Sequence, residues 1–352
     1  MRCIELVEMN KSLFDFICLL GRYDLKKINY RHMKNSITFI INESEISAGT
    51  RGASLGPGAM RVVDHQQENF IFGKYPNVFV EHQNHLLDQP TNLIWGKHAD
   101  GLAKVYENVS RVIKTERSKE NQFLIVVAAD HGSAGGTIAG LKMANPSNRI
   151  GVLWVDAHGD LHTPYTTPSG NMHGMPLATA LNEDNLECKA NDVKTDTANY
   201  WNKMKNIGGI APKINPEDLA FIGLRDLEEQ EIALMKRLGI NNIAVEELRE
   251  KGLSKILESL DEKFKDCDEI YLSFDVDSMD PETVSHGTGT PVPNGLNPKE
   301  AKAILQHFAK HPKVKCIEFV EVNPCLDEKI NRMAEVAYDL MLSVVNTIEG
   351  KE

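Results

Sequence analysis

A chain of 352 residues with 41% hydrophobic and 25% charged residues is long enough for one large α/β domain or two smaller ones. Its formal net charge of −11 argues against non-specific binding to nucleic acid or to an anionic membrane and is compatible with a cationic substrate. No CxxC pair occurs and no apolar run approaches the roughly 20 residues of a membrane span, so we expect a cytoplasmic protein with reduced thiols.

The chain divides into a short N-terminal segment and one long region of alternating elements. Residues 1–35 are expected to form a small helical extension, followed by a single domain over residues 36–352. Short apolar runs, typical of strands buried on both faces of a parallel sheet, predict strands at residues 36–41, 78–80, 122–129, 150–155, 218–223, 243–245, 269–274 and 314–322. Helices are predicted between them, including residues 97–115, 175–181, 248–264, 298–310 and 329–347. This alternation predicts an α/β fold with a doubly wound, mostly parallel sheet flanked by helices.

Residues 183–215 interrupt the alternation. Asn, Asp and Lys side chains surround Trp201 in this stretch, which has no clear strand or helix pattern. We interpret it as a polar insertion that serves as a lid or as a subunit contact.

The strand predicted at residues 150–155 ends in three polar side chains, those of Asp156, His158 and Asp160. Alternate residues of an extended backbone point to the same side, so these three side chains can converge. No Lys or Arg lies between residues 150 and 176 to neutralise the carboxylates, and burying them would be costly without cations. A metal site is therefore the economical interpretation. The structural alternative is a polar strand end followed by an ordinary loop.

Two other predicted strands also end in possible metal ligands. His131 follows the strand at residues 122–129, and Asp275 and Asp277 follow the strand at residues 269–274. Open α/β sheets bind ligands at the carboxyl ends of their strands. Six ligands, four of them carboxylates, are too many for one catalytic zinc ion, so two bridged divalent ions fit better. Mn²⁺ suits this mixture, with Co²⁺, Ni²⁺ or Zn²⁺ as possible substitutes, and the expected chemistry is hydrolysis.

A run of acidic residues follows the strand predicted at residues 218–223. Glu229 and Glu231 fit the first turn of a helix, where acidic side chains are favoured. Asp226 and Glu228, at the exit of the strand, fit that interpretation less well.

An ordered set of motifs resembles the arginase family of binuclear manganese ureohydrolases: Asp130-His131, DAHGD, SGNMHG, SFDVDSMDP and EVNP. The resemblance runs from about residue 36 to the last predicted helix. It implies a three-layer α/β/α fold and a homo-oligomer, either a trimer or a hexamer. It also implies that one ion is bound by His131, Asp156, Asp160 and Asp275, and the other by Asp156, His158, Asp275 and Asp277.

The resemblance further implies an activity, in which a hydroxide shared by the two ions hydrolyses L-arginine to L-ornithine and urea. His173 would be the proton shuttle, Asp160 would orient the nucleophile, and Glu321 would pair with the guanidinium group. Ser and Asn of the SGNMHG motif would receive the α-carboxylate, and Glu228 would face the α-amino group. The implied substrate contacts are His158, His162, Ser169, Asn171, Asp226, Glu228, Thr290 and Glu321.

Three departures from the family pattern accompany the resemblance. The usual Gly-Gly-Asp-His-Ser is Ala-Ala-Asp-His-Gly at residues 128–132, His162 stands where an asparagine usually contacts the α-carboxylate, and Glu228 replaces an aspartate. The alternatives within enzymes are formimidoylglutamase, agmatinase or a guanidino-acid hydrolase. The alternative from another class is a catalytically silent homologue that binds metal.

Overall fold

A computed structural model of the protein describes residues 36–351. Within them, eight strands form one sheet in which every neighbouring pair is parallel, in the order β2-β1-β3-β8-β7-β4-β5-β6. The strands are β1 (Ser36–Asn42), β2 (Asn77–Phe79), β3 (Gln122–Ala128), β4 (Ile150–Val155), β5 (Leu219–Ile222), β6 (Asn242–Ile243), β7 (Glu269–Asp275) and β8 (Val314–Val320). The predicted doubly wound α/β sheet is confirmed. The extension expected at residues 1–35 lies outside the described residues, so the domain division stays a prediction.

Helices cover both faces of the sheet. They are α1 (Gly56–Gln66), α2 (Ile71–Lys74), α3 (Ala99–Arg117), α4 (Ala134–Ala144), α5 (Pro176–Leu181), α6 (Thr195–Lys205), α7 (Glu229–Leu238), α8 (Val245–Lys251), α9 (Leu253–Lys263), α10 (Pro298–Lys310) and α11 (Arg332–Glu349). Buried side chains of α1, α2 and α8 to α11 share one hydrophobic core, and those of α3 to α7 share the other. No helix within residues 36–351 combines the length and the apolar character needed to cross a membrane.

The central strands are mostly apolar because both of their faces are covered. In β3, Phe123 and Ile125 pack into the core beside α11. Leu124 and Val126, which point to the opposite face, pack into the core beside α4. Each such fully buried side chain contributes about 1.5–3 kcal/mol relative to an exposed one. Burial on both faces keeps the strand ends in fixed positions.

One helix predicted from the sequence is two helices in the structure. The helix expected at residues 248–264 is divided into α8 and α9 by Gly252, whose backbone adopts φ +85° and ψ 134°. A side chain at such a φ is strained, and glycine adopts it without this cost. The strand expected at residues 243–245 also ends early, because Val245 begins α8.

The segment 183–215 contains an anchored helix. Trp201 of α6 is fully buried, and its indole Nε1 donates to Asp184 Oδ1 at 2.7 Å. Lys205 Nζ donates to the same oxygen at 2.6 Å. Although the segment is mostly polar, its buried Trp201 fixes it to the core beside α3 and α4. Its suggested role as a lid or subunit contact stays a prediction.

Helices α3 and α4 pack closely because glycines of α4 face α3. A Cβ atom added to Gly140 would lie 2.6 Å from Ile113 Cβ and 2.8 Å from the Ser110 carbonyl oxygen. Both distances are shorter than real Cβ contacts, and one of the opposing atoms is main chain. The missing side chain thus sets the separation of the two helices.

We expect Gly140→Ala to lower the free energy of unfolding by about 1–3 kcal/mol, because overpacking outweighs the higher helix propensity of alanine. Urea denaturation followed by circular dichroism measures the change. Gly58→Ala is the matched control, since a Cβ there meets no atom within 4 Å in helix α1. Equal, favourable effects of both substitutions would show that the α3–α4 contact does not depend on Gly140.

Candidate metal centre and substrate pocket

The carboxyl ends of three strands bring together the ligands predicted from the sequence. His131 lies just after β3, Asp156 directly follows β4, and Asp275 is the last residue of β7. The Nδ1 atom of His131 lies 3.1 Å from one carboxylate oxygen of each of Asp156, Asp160 and Asp275. Three acidic groups thus surround a single imidazole nitrogen.

His131 is held in the orientation of a metal ligand. Its Nε2 atom hydrogen-bonds to Ser273 Oγ at 2.7 Å, and its ring stacks on Trp154 with centroids 4.1 Å apart. A hydrogen bond at one ring nitrogen fixes the other nitrogen toward the metal in many protein sites. Neither Nδ1 of His131 nor Oδ2 of Asp160 has a hydrogen-bond partner, although both atoms are buried. A divalent cation would satisfy both, so these residues fit a metal site.

A second cluster of ligand atoms shares Asp156 with the first. Asp156, His158 and Asp277 each place one ligand atom within 4.8 Å of the others. His158 Nδ1 lies 3.0 Å from Asp277 Oδ2 and 3.5 Å from Asp156 Oδ1. The hydroxyl of Thr290 donates to Asp277 Oδ2 at 3.2 Å. The two clusters have the donor types and the shared carboxylate that a pair of cations requires.

Burial and mutual repulsion raise the proton affinity of this centre. Burial, followed by the nearby charge of Asp156, raises the pKa of Asp160 to about 6. Burial, followed by Asp277 and Asp156, raises the pKa of Asp275 well above its ordinary value. Burial opposes the charged imidazole of His131, but the three surrounding carboxylates outweigh it and raise its pKa. Protons and metal cations therefore compete for the same atoms.

Two acidic residues of the site adopt left-handed backbone conformations that are uncommon without glycine. Asp160 has φ +51° and Glu321 has φ +68°. Glu321 Oε1 also accepts a hydrogen bond from the His131 main-chain N–H at 2.9 Å. Strained conformations of this kind cost of order 1–3 kcal/mol and are concentrated at functional sites. The surrounding structure thus holds both carboxylates at defined positions.

A pocket of about 290 Å³ contains both clusters. It is lined by every site residue predicted from the sequence except Asp156, which is buried behind it. His173 Nδ1 lies 3.6 Å from Glu321 Oε1 at the pocket wall. Asp226 is mostly exposed at the rim, with Oδ2 3.8 Å from His158 Nε2. The structure therefore brings the predicted residues into one site, whereas their individual roles stay predictions.

At the other end of the pocket, His162 and Glu228 form a hydrogen-bonded pair. These are two of the positions at which the sequence was expected to depart from the family pattern. His162 Nε2 and Glu228 Oε2 are 3.1 Å apart, and His162 Nδ1 lies 3.1 Å from Thr166 Oγ1. The pKa of Glu228 is lowered to about 2, chiefly by the hydrogen bond with His162. The imidazole and the longer acidic side chain therefore interact with each other directly.

Two residues of this region were missed in the sequence. Glu231, interpreted as an ordinary first-turn acid, is buried, lines the pocket and accepts a hydrogen bond from the Leu161 N–H at 3.1 Å. Its spacing of three from Glu228 places both on one helix face, which was the available signal. Lys97 Nζ donates to Asn171 Oδ1 at 3.0 Å, and no motif indicated that contact.

We expect the affinity for Mn²⁺ to rise as the pH increases, because the raised pKa values of Asp160 and Asp275 favour protons at low pH. Isothermal titration calorimetry at about pH 6 and about pH 8 should show an increase of at least roughly tenfold, with proton release. The control is Asp261→Asn, which removes a carboxylate paired with His307 outside the pocket, at 2.9 Å. An affinity that is constant with pH would contradict the assignment of these carboxylates as ligands.

Comparison with known proteins assigns the chain to a family. The model of the arginase family matches residues 37–346. The arginase of Brevibacillus brevis is 32% identical over 324 residues, covering 89% of this chain and 98% of that protein. A crystal structure of Bacillus subtilis arginase has a TM-score of 0.73 and 30% identity, with coverage of 88% and 98%. Entamoeba histolytica arginase, crystallised in complex with L-ornithine, has a TM-score of 0.73 and 25% identity, with coverage of 90% and 99%. The chain is therefore a member of the arginase family.

Proposed function

We propose that this protein is a manganese-dependent arginase that hydrolyses L-arginine to L-ornithine and urea. One observation carries the proposal: two imidazoles and three carboxylates line a single pocket with Asp156 buried behind them, and His131 Nδ1 and Asp160 Oδ2 lack hydrogen-bond partners. Donor sets rich in carboxylate and free of thiolate suit Mn²⁺. Membership of the arginase family supports the reaction class.

Two divalent cations bound by these residues would lower the pKa of water and so supply a nucleophile near neutral pH. The protein's own task is to orient the reactants. Asp160 would accept a hydrogen bond from the attacking water through the carboxylate oxygen that does not hold a cation. Glu321 would pair with the cationic guanidinium group, because its carboxylate lies at the pocket wall beside the metal ligands.

His173 would protonate the leaving amine. Burial opposes its charged form, but Glu321, Asp160 and Asp130 outweigh that effect and raise the pKa of His173 above its ordinary value. A raised pKa increases the protonated fraction of an imidazole near neutral pH, and the protonated form is the one that acts as a general acid. Its distance of 3.6 Å from Glu321 keeps the proton donor close to the group that would bind the guanidinium.

The opposite end of the pocket would bind the amino-acid part of the substrate. Ser169 and Asn171 line the pocket there and would donate hydrogen bonds to the α-carboxylate. Glu228 would face the α-ammonium group, and His162, its partner, lies beside it. Agmatine lacks the carboxylate and would leave these donors unused. The homo-oligomeric state and the cytoplasmic location stay predictions from the sequence.

The manganese-loaded protein should release urea from L-arginine with a kcat/KM at least roughly tenfold above that for agmatine, because only arginine carries the α-carboxylate. A panel assay with arginine, agmatine, a guanidino acid and formimidoylglutamate tests this expectation. Formamide release without urea would identify a formimidoylglutamase. An absence of turnover with two ions bound would identify a catalytically silent homologue.

Glu321→Gln should lower kcat/KM for arginine by roughly 100-fold, because it removes the charge that faces the guanidinium group. The amide oxygen of glutamine can still accept the hydrogen bond from the His131 N–H, so the metal content should be unchanged. Steady-state kinetics and elemental analysis measure the two quantities. The control is Glu335→Gln, which changes a surface carboxylate paired with Arg332. Full activity of Glu321→Gln would exclude the proposed role.

A further inference from the structure

A single arginine joins three separate segments beside the second ligand cluster. The guanidinium group of Arg225, just after β5, donates from Nη1 to the carbonyl of Gly223 at 2.9 Å. Its Nη2 atom donates to the carbonyls of Asp277 and Val292, both at 2.7 Å, and its Nε atom donates to that of Pro293 at 2.9 Å. The end of β5, the turn at Asp277 and the loop after Thr290 are thereby tied together.

All of these acceptors are neutral main-chain carbonyls. Among residues 36–351, Arg225 forms no ion pair with a carboxylate. A guanidinium group in an ordinary surface ion pair directs some of its N–H donors at a carboxylate, not all of them at backbone oxygens. The contacts therefore indicate a part in fixing backbone position.

The backbone fixed by Arg225 carries one ligand of the second cluster and a hydroxyl group that hydrogen-bonds to that ligand. Asp277, whose carbonyl Arg225 binds, contributes a carboxylate oxygen 3.0 Å from His158 Nδ1. Thr290, two residues before Val292, donates its hydroxyl to that same oxygen at 3.2 Å. The first cluster, by contrast, receives no direct contact from Arg225.

Gly295 leaves open the space beside the guanidinium group of Arg225. A Cβ atom added to Gly295 would lie 2.6 Å from Arg225 Nη2 and 2.5 Å from the Ser278 carbonyl oxygen. A lysine in place of Arg225 would keep the charge, but its single nitrogen could not reach carbonyls on all three segments. Charge and donor geometry can therefore be separated by substitution.

We propose that Arg225 is a positioning residue that selectively sets the cation affinity of the Asp156–His158–Asp277 cluster by fixing the backbone of Asp277 and of the Thr290 loop. This inference rests on the proposed two-cation site. Positioning and charge make opposite predictions, because loss of a nearby positive charge alone would strengthen binding of a cation. Loss of the guanidinium hydrogen bonds alone would weaken cation binding.

The test compares Arg225→Lys and Arg225→Met with the wild-type protein in calorimetric titrations with Mn²⁺. Wild type should bind two ions. Both variants should bind one of them at least roughly tenfold more weakly, the effect expected when support of a metal ligand is lost, and the other with unchanged affinity. In an Asp277→Asn background, Arg225→Lys should cause no further loss.

Arg249→Met is the matched control, because Arg249 also donates to the carbonyl of Gly295, at 3.0 Å, but otherwise pairs with Glu300. It should leave both affinities unchanged. Arg225→Lys carries the test if Arg225→Met does not fold.

Four results would overturn the inference. Tighter binding by Arg225→Met with unchanged binding by Arg225→Lys would assign the effect to charge. Equal weakening of both ions, together with a lower melting temperature of the metal-free protein, would show a general structural role. Fewer than two ions on the wild-type protein would overturn the proposed function and this inference with it, whereas two ions on wild type with unaffected variants would overturn the inference alone.

Discussion

Repulsion among four buried aspartates is the constraint on which the rest of the site depends. Two like charges 4 Å apart repel by about 4 kcal/mol at an effective dielectric constant of 20, so Asp156, Asp160, Asp275 and Asp277 need compensation. The protein supplies part of it from fixed donors. The indole of Trp154 and the main-chain N–H of His158 donate to Asp156, at 2.9 and 2.7 Å. The remaining charge attracts either protons, as the raised pKa values indicate, or cations.

The sheet makes this concentration of charge possible. Strands β3, β8, β7 and β4 are consecutive neighbours, so residues far apart in the chain meet at one edge. Apolar side chains on both faces hold the strands, and the proposed metal ligands lie at or just beyond the carboxyl ends of those strands. Asp160 and Glu321 then need left-handed backbone conformations to turn their carboxylates into the pocket. The stability of the two cores thus offsets local strain at the edge.

The order of the strands along the chain and the convergence of the six proposed ligands could be predicted because their signals are local. Asp156 and His158, which follow an apolar run, are placed by the alternation of an extended backbone, whereas Asp160 reaches the pocket through a left-handed conformation that this alternation does not predict. The break at Gly252 was missed, because an amphipathic pattern continues across it and a single glycine is tolerated in many helices. The position of Glu231 in the pocket was also missed. An acidic residue in the first turn of α7 is expected from helix preference alone, so its presence does not reveal that it also lines the pocket.

Contacts between distant segments lie beyond such reasoning. Nothing near Arg225 in the sequence indicates that its partners lie at Asp277 and at residues 292–293. Likewise, the anchoring of residues 183–215 depends on Trp201, whose burial is decided by helices elsewhere in the chain. A sequence shows which groups are present, whereas tertiary packing decides which of them meet.

The contact between His162 and Glu228 makes the two positions depend on each other. Both residues were expected from the sequence to depart from the family pattern, and they lie 66 positions apart in the chain yet touch through their side-chain tips. With histidine at position 162 but aspartate at position 228, the imidazole would face a carboxylate one methylene too short to meet it. With glutamate at position 228 but asparagine at position 162, the glutamate would lack its imidazole partner. Each of the two side chains therefore constrains what the other can be, and a change at either position calls for a matching change across the pocket.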